Sequence, residues 1–426
     1  MTDTLTTLLL QLDQPAAIYA ENERYYSGRQ ALAFLAPESR DALGDRFGRM
    51  ATNVPRLTIT SLTERLRVTG FSGVDVWDDW LRNDLDQQST IAHREALLLG
   101  ASYAIVWADQ FGRPKVTIES ARQVTVITDP GTRQIVAALK RWETETTTEA
   151  VLYGPHEIVR LRAEQTGATT AGFKVIETLA NPLGIVPVVR LTNSDRLLDD
   201  GVSEIEDLKP LIDALNKLLT DMLVTSEYVG RPRRWATGIE MEEDEDGNAI
   251  NPIPEGDRAM ISENPDSKFG QLEAADLGGY ESAVRILLGQ IMAVSALPAH
   301  YIGQLTATPP SADALRAAEA SLTARAQARQ QVFGRAWEQV ARLVVAVRDG
   351  IDPLMVEPRV IWADPATRSI AQEADAVVKL FSSGLLPADY ALQRLGYGDD
   401  EILAIRQARR TAALDSTAVD LSKLVG

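Results

Sequence analysis

The chain has 426 residues, 45% of them hydrophobic and 24% charged, so it is a folded protein with room for two or more domains. It contains no cysteine, which excludes disulfides, thiolate zinc sites and thiol nucleophiles. Its formal net charge of -17 argues against a tight, nonspecific nucleic-acid binder, because phosphate affinity comes from Lys and Arg, but does not exclude a protein past which nucleic acid slides. The segment Met1–Asp13 has no basic leader and the apolar segment Ile286–Leu297 is too short to span a bilayer, so we expect a cytoplasmic product without signal peptide or membrane anchor.

The first hundred residues are predicted to be mostly helical. Gly28 is placed to end the first helix in a left-handed conformation. Alternation of Leu57, Ile59 and Leu62 predicts extended chain within Val54–Val68. The predicted helices are Pro15–Tyr26, Gly44–Ala51, Val76–Leu85 and Gln88–Gly100.

A period of two then predicts strands between residues 100 and 191, separated by turn residues. These strands are Ala104–Trp107, Lys115–Ile118, Val124–Ile127, Ile135–Trp142, Ala150–Tyr153, Glu157–Leu161, Phe173–Leu179 and Val186–Leu191. No βαβ nucleotide-binding unit is apparent among them. The pattern predicts a largely antiparallel sheet region and, with the helices, an α+β fold class.

Two amphipathic helices flank a segment of different composition. The first is predicted at Ile205–Tyr228 and the second at Tyr280–Leu297. Between them, Gly230–Asp276 is rich in turn residues and has six carboxylates between Glu240 and Asp246. We predict a small, loop-rich module inserted between the two helices.

A loop and one very long helix follow. Pro298 ends the preceding helix, and Ala299–Pro310 is predicted to be a loop. Ser311 occupies an N-cap position for a helix at Ala312–Asp349, which would be about 55 Å long and suggests a spine within an assembly. The remaining predicted elements are a strand at Leu354–Trp362, helices at Ser369–Phe381, Pro387–Leu395 and Asp399–Arg410, and a frayed tail from Thr411.

No motif predicts catalysis. The sequence has no phosphate-binding loop, and His93, His156 and His300 lack the spacing of metal ligands. His93 is interpreted as a residue on a helix face. The acidic run Glu240–Asp246 lacks the pattern of a calcium loop, so it is interpreted as a solvated loop or an address for a basic partner. We therefore predict no enzyme activity, no metal site and no cofactor.

A resemblance appears in the order of several short motifs from about Tyr19 to Arg410. The chain resembles the portal (head-to-tail connector) proteins of tailed bacteriophages, in the branch found in long, non-contractile-tailed phages. The order of the motifs, with two helices bracketing an inserted module, is more specific than any one of them. They are Tyr25–Gly28, Glu64–Phe71, Trp80–Asp86, His93–Tyr103 and Pro309–Arg316.

The resemblance implies a portal-type protomer that assembles into a ring. It would comprise an N-terminal wing at 1–204, a first stem helix at 205–229, a small α/β clip at 230–276, a second stem helix at 277–297, a tunnel loop at 298–311, a long spine helix with a wing strand at 312–366, a helical crown at 367–410, and a flexible tail at 411–426.

The resemblance also implies a function. Such proteins form a twelve-subunit ring at one capsid vertex, through which double-stranded DNA enters during packaging and leaves at ejection. The expected partners are further copies of the chain, the terminase large subunit, a head-tail adaptor, and the major capsid and scaffolding proteins. The expected location is the virion, with the host cytoplasm during assembly. Another virion structural or adaptor ring protein, a cellular ring scaffold and a metal-dependent nuclease remain alternatives.

Three sets of residues follow from this layout. The tunnel loop offers polar side chains without Lys or Arg, which would touch DNA weakly. Trp235 is either a contact residue of the clip or simply its core. The DNA-channel residues are Tyr301, Gln304, Thr306 and Thr308; the clip docking residues are Arg233, Arg234, Trp235, Glu242, Glu243 and Asp244; the stem packing residues are Leu215, Leu219, Leu288 and Ile291.

Overall fold

The structure, a computed structural model, describes residues 2–32, 51–230, 234–238, 242–243, 249–250, 264–271, 277–303, 311–366 and 370–422. The chain divides into two compact units, Met1–Pro365 and Ala366–Gly426, which are described separately. Helices and antiparallel sheets together confirm the α+β class.

The larger unit begins with helices, as predicted. Helices at Pro15–Tyr26 and Gln88–Gly100 are confirmed with small shifts, and Gly28 has the expected left-handed conformation, with φ +67°. The predicted helix Gly44–Ala51 lies outside the described residues. The elements are α1 (Thr2–Asp13), α2 (Ala16–Tyr26), α3 (Val54–Thr63), β1 (Val68–Ser72), α4 (Trp77–Arg82) and α5 (Leu85–Leu99).

The extended chain predicted within Val54–Val68 is wrong for most of its length, because α3 is a helix. Thr58, Ile59 and Leu62 lie on its buried face at helical spacing. The Thr58 hydroxyl donates to the Val54 carbonyl at 3.0 Å, so this polar side chain is satisfied without leaving the buried face. The spacings between Leu57, Ile59 and Leu62 fit both the two-residue period of a strand and the 3.6-residue period of a helix. The threonines buried on the same face show that the helical period is the correct one.

The helix predicted at Val76–Leu85 is also corrected, because it ends early. Asp84 has a left-handed backbone, with φ 54°, and separates α4 from α5. Trp80 and Leu85 are both buried but belong to different helices, and Leu81 is exposed. The apolar spacing is therefore interrupted by a turn that the pattern did not reveal.

All eight strands predicted between residues 100 and 191 are confirmed, with boundaries that differ by a few residues. They form two antiparallel sheets with the orders β3-β2-β9 and β4-β5-β6-β7-β8. The strands are β2 (Ala101–Ala108), β3 (Pro114–Ser120), β4 (Val124–Thr128), β5 (Ile135–Glu143), β6 (Thr148–Tyr153), β7 (Glu157–Ala163), β8 (Lys174–Ala180) and β9 (Val188–Thr192).

Two apolar cores hold this unit together. The smaller one lies under α1, whose Leu8 and Leu9 are fully buried against Leu139 and Leu161 of the five-stranded sheet. The larger one joins α5, the three-stranded sheet and the later helices. Burial of these side chains is the main source of the unit's stability.

The described residues of the next part of the chain form two helices and two short antiparallel strand pairs. A 3-10 turn, Glu206–Leu208, leads into the first helix, and Pro210 lies in its first turn. The described strands of the inserted module pair as β10 with β13 and β11 with β12. The elements are α6 (Lys209–Gly230), β10 (Arg234–Thr237), β11 (Glu242–Glu243), β12 (Ala249–Ile250), β13 (Lys268–Gln271) and α7 (Gly278–Ser295).

The long helix α8 runs over Ala312–Asp349, with the predicted bounds. Its N-cap is confirmed, since Ser311 Oγ accepts from the Ala314 N–H at 3.2 Å. The predicted strand Leu354–Trp362 is shorter, β14 (Arg359–Trp362), because Pro353–Met355 form a 3-10 turn. Strand β14 pairs antiparallel with β1, which returns the chain to the N-terminal region.

The smaller unit consists of three helices among its described residues, α9 (Ile370–Ser382), α10 (Ala388–Arg394) and α11 (Asp399–Ser422). Arg406 of α11 pairs with Asp389 of α10. The first two helices match their predicted positions. The tail expected to fray from Thr411 is corrected over 411–422, where α11 remains helical.

Candidate functional site

Helices α6 and α7 pack side by side as an antiparallel pair. Leu215 of α6 and Ile291 of α7 are 1% and 0% exposed and belong to the larger core. Leu219 and Leu288 are half-buried against that core. The structure thus brings all four predicted stem packing residues into one apolar contact region, with Leu215 and Ile291 at its centre.

An open groove of about 400 Å³ lies between these helices, away from the buried stripe. Ile286 in this groove is 66% exposed, although it lies on the same helix as the fully buried Ile291. Lys217 and Asp221 border the groove and form an ion pair with each other. The groove is lined by Ala214, Leu218, Ala283, Ile286 and Leu287 in addition to this pair.

The start of the segment 298–311, the predicted tunnel loop, follows directly on the end of α7. Ala296 adopts a left-handed backbone, with φ 59°, and Ala299–Ile302 form a short 3-10 helix. Tyr301 lies in this turn and is half-buried. The other predicted channel residues, Gln304, Thr306 and Thr308, lie outside the described residues.

A buried ion pair holds the start of this segment in place. Arg65 Nη2 lies 3.1 Å from Glu319 Oε2 of α8, and the two side chains are 8% and 11% exposed. The Arg65 guanidinium also donates to the Tyr301 hydroxyl at 3.1 Å and to the Ser61 carbonyl at 3.2 Å. His300 Nε2 lies 3.4 Å from the second carboxylate oxygen of Glu319. His300 and Tyr301, two of the four residues of the 3-10 turn, are therefore both in contact with one buried charge pair.

A second set of charges joins the end of α7 to α8. Arg325 donates to the carbonyls of Val294 at 2.9 Å and Ser295 at 3.1 Å, which have no partner within the helix. Arg329 Nε donates at 2.7 Å to the buried carboxylate of Glu204. A cation at a helix C-terminus also interacts favourably with the helix dipole. The end of α7 and the 3-10 turn after it are thus held against α8 by two sets of charged side chains.

The residues predicted to form the docking surface of the clip are described in part. Trp235 of β10 is 43% exposed and its ring covers Gly270 of β13, where a Cβ would overlap the indole. Arg234 lies at the start of β10, and Glu242 and Glu243 form β11. Arg233 and Asp244 lie outside the described residues.

The prediction that His93 lies on a helix face is confirmed, and the face is the buried one of α5, where the imidazole is completely buried. The Trp337 indole donates to His93 Nε2 at 2.7 Å, and the imidazole stacks on Phe333 at 5.3 Å between ring centroids. Burial lowers the pKa of His93 to about 3, and the Leu66 backbone offsets only part of this decrease. The imidazole is therefore a neutral core group that joins α5 to α8. Within the described ranges, no group of three or more acidic or histidine side chains is arranged to hold a metal ion.

The buried imidazole predicts a loss of stability in acid. The pKa of His93 is about 6.5 in the unfolded chain and about 3 in the folded one. The contribution of the neutral imidazole to the free energy of unfolding is therefore complete above pH 6.5 and is lost as the pH falls toward 3. At pH 5 the expected loss is about 2 kcal/mol. Urea unfolding at several pH values, compared between the wild type and His93→Gln, measures this term.

The matched control is His156→Gln, which alters an exposed imidazole. The wild type's advantage over His93→Gln in free energy of unfolding should be about 2 kcal/mol smaller at pH 5 than at pH 7.5. At pH 7.5 the His156→Gln protein should unfold like the wild type, because that side chain lies outside the core. A His93→Gln difference that does not change with pH would contradict the prediction.

Two determinants of this site were not predicted from the sequence. Arg65 lies within a motif that carried the resemblance, but nothing in that motif indicated that its charge is buried against Glu319, which is 254 residues away. Two adjacent leucines, Leu197 and Leu198, are 79% and 92% exposed, and only their adjacency in a polar loop could have drawn attention to them.

Among the described helices, none combines the length and the apolar character that a membrane span requires.

Comparisons with known proteins agree on one family. The sequence matches the model described as "Phage portal protein, SPP1 Gp6-like" over residues 17–413. It is 29% identical over 443 residues to the portal protein of Mycobacterium phage D29, covering 95% of this chain and 86% of the relative. It is also 29% identical over 416 residues to the portal protein of Mycobacterium phage L5, covering 90% and 83%. The fold resembles a chain in the neck of an empty gene transfer agent (GTA) particle computed with C6 symmetry, with a TM-score of 0.50 at 13% identity, covering 85% of this chain and 94% of that one.

Proposed function

The chain belongs to the SPP1 Gp6-like family of phage portal proteins, and we propose that it forms a twelve-subunit ring at one capsid vertex. In this proposal, double-stranded DNA enters through the ring during packaging and leaves through it at ejection. The ring also serves as the docking platform for the terminase large subunit and the head-tail adaptor, and it contacts the major capsid and scaffolding proteins. It resides in the virion and is assembled in the host cytoplasm.

The observation that carries the ring proposal is the apolar surface that the stem leaves uncovered in one protomer. Ile291 is completely buried, yet Ile286 on the same helix is 66% exposed beside Leu218 and Leu287. An apolar groove bordered by charges is typical of a protein contact site. A head-to-tail contact through such a surface closes into a ring when the rotation between copies divides the circle.

The oligomeric state of the purified chain tests the proposal. Mass photometry and negative-stain imaging should show rings of about twelve times the chain mass of 46.6 kDa, with a central channel. Ile286→Asp should give folded but smaller species, since it places a charge in the contact without disturbing the protomer core. Ala293→Asp, at an exposed position of the same helix, is the control and should leave rings intact. A stable wild-type monomer would contradict the proposal.

We further infer that the tunnel loop 298–311 lines the channel. Its described root is held by Arg65 and Glu319, so the following residues leave a fixed base, and Ala299–Pro310 contains no Lys or Arg. Weak, uncharged contacts suit a duplex that must slide. The clip, with Arg233, Arg234, Trp235 and the acidic residues Glu242, Glu243 and Asp244, is inferred to meet the packaging motor and the adaptor. The exposure of Trp235 supports such a contact, and its packing on Gly270 supports a structural role beside it.

Adding charge to the tunnel loop should impair DNA passage. Gln304→Lys with Thr306→Lys adds two cations per subunit, so a ring of twelve subunits would hold phosphates more tightly and more salt-dependently. We expect at least a tenfold loss of filled particles in a complementation assay, with capsid assembly scored separately. Gln304→Asn with Thr306→Ser is the uncharged control. Normal DNA filling and ejection with the doubly basic loop would show that this loop does not line the channel.

A further inference from the structure

The loop 194–200, which precedes α6, has an unusually well-fixed base. The Val202 N–H donates to the Asn193 carbonyl at 3.0 Å, and the Asn193 amide donates back to the Val202 carbonyl at 2.7 Å. Gly100 and Gly201 both have positive φ, and a Cβ on either one would overlap the other's backbone. The base is therefore fixed against the end of α5, and only glycine permits this approach.

The tip of this loop presents two adjacent leucines to solvent. Leu197 and Leu198 are 79% and 92% exposed. Arg196 and Asp199 flank them and lie 3.7 Å apart, and Arg190 pairs with Asp200 at 3.2 Å. Single exposed leucines are common on protein surfaces, but an adjacent pair on a fixed loop forms an apolar knob with charged edges.

The groove between α6 and α7 complements this knob. Its volume of about 400 Å³ and its lining of alanine, leucine and isoleucine side chains suit two leucine side chains. Its border carries one cation and one anion, Lys217 and Asp221. The knob carries the same two charges, Arg196 and Asp199, so the two surfaces can exchange partners in one alignment, Arg196 with Asp221 and Asp199 with Lys217.

The positions of knob and groove along the stem are also compatible. The loop leads through a 3-10 turn into α6 at Lys209, and the groove begins at Ala214, about 8 Å further along the helix. Copies related by a cyclic axis are rotated without a shift along that axis. If α6 runs along the axis of the proposed ring, a knob near the start of α6 lies close to the height of the groove on the neighbouring stem.

We propose that Leu197 and Leu198 of one protomer insert into the α6–α7 groove of the next protomer. This head-to-tail contact rests on the proposed ring and identifies a pair of surfaces that builds it. Each protomer contributes a knob to one neighbour and a groove to the other, so no knob or groove is left over once the ring is closed.

The absence of cysteine makes this contact directly testable by cross-linking, because only introduced thiols can react. Chains carrying Leu198→Cys are mixed with chains carrying Ile286→Cys under conditions that allow subunit exchange, and are then oxidised with copper phenanthroline. Covalent dimers, reversible with dithiothreitol, are expected on denaturing gels. Mixing Phe111→Cys with Ile286→Cys is the control, since Phe111 is 75% exposed but lies outside the knob, and it should give no dimers.

A second variant tests the contact without cysteine. Leu197→Ser with Leu198→Ser removes the knob at positions that do not contribute to the protomer core, so its melting temperature as a protomer should be unchanged. Its rings should dissociate at a protein concentration at least tenfold higher than wild-type rings. Rings of this double-serine variant that are as stable as wild-type rings, or the absence of 198–286 dimers from the cysteine mixture, would overturn the knob-and-groove contact while leaving the ring proposal intact. A wild-type chain that remains monomeric would overturn both.

Discussion

Replacing Glu319 with leucine is expected to lower the free energy of unfolding by about 3–5 kcal/mol. The physical reason is the charge left behind. Arg65 is almost fully buried, and the Glu319 carboxylate lies 3.1 Å from its guanidinium, which also donates to the Tyr301 hydroxyl and the Ser61 carbonyl. Removing one charge of a buried ion pair costs far more than the complete pair contributes, because the remaining buried charge loses a counter-ion where water has little access. Urea unfolding with the m-value monitored gives the change.

A double-mutant cycle separates the ion pair from simple loss of packing. Arg65→Met combined with Glu319→Leu removes both charges and keeps most of the apolar volume, so we expect it to recover at least about 2 kcal/mol of the single-variant losses. Tyr301→Phe keeps the aromatic ring and removes only the hydroxyl bonded to Arg65, and should cost about 1 kcal/mol. Additive effects of the two charge substitutions would contradict a coupled pair.

Features that depend on local sequence signals were predicted from the sequence, whereas this ion pair between distant residues was not. The bounds of α8 were predicted correctly because both ends carry local signals, the Ser311 cap and a glycine at position 350 with φ +65°. The eight strands were predicted because a period of two, interrupted by turn residues, is a local pattern. Helix α3 was predicted incorrectly because its apolar residues fit both periods and its threonines are satisfied by bonds within the helix.

The candidate site depends on contacts that span the chain. Leu215 and Ile291 were predicted as stem contacts, since each lies on an apolar stripe, and both are fully buried. The burial of His93 against Trp337, 244 residues away, follows from no local signal, because a histidine on an amphipathic helix fits solvent or core equally well. The same limit applies to Leu197 and Leu198, which are 79% and 92% exposed although leucine is usually buried. Local patterns define elements, but the burial of a polar or charged group depends on what the fold brings next to it.

Replacing Ile291 with aspartate is expected to abolish folding of the larger unit or destabilise it by more than about 4 kcal/mol. Ile291 is 0% exposed and lies in the core that α7 shares with α6 and α8. The substitution removes a buried apolar side chain and introduces a carboxylate among apolar neighbours. Circular dichroism and thermal unfolding should show the loss, with most of the expressed chain found in the insoluble fraction.

Two positions on the same helix separate this effect from a general intolerance of negative charge. Ala293 is exposed, so Ala293→Asp should change the free energy of unfolding by less than about 0.5 kcal/mol. Ile286→Asp should preserve the protomer's fold and reduce ring formation, because Ile286 lies in the exposed groove. Substitution to aspartate at these three positions of α7 would then have three different effects. The effect depends on whether the position faces the protomer core, solvent or a neighbouring subunit. Equal stability of the Ile291→Asp and Ala293→Asp proteins would contradict the burial of the α7 stripe, and with it the stem arrangement on which the ring proposal depends.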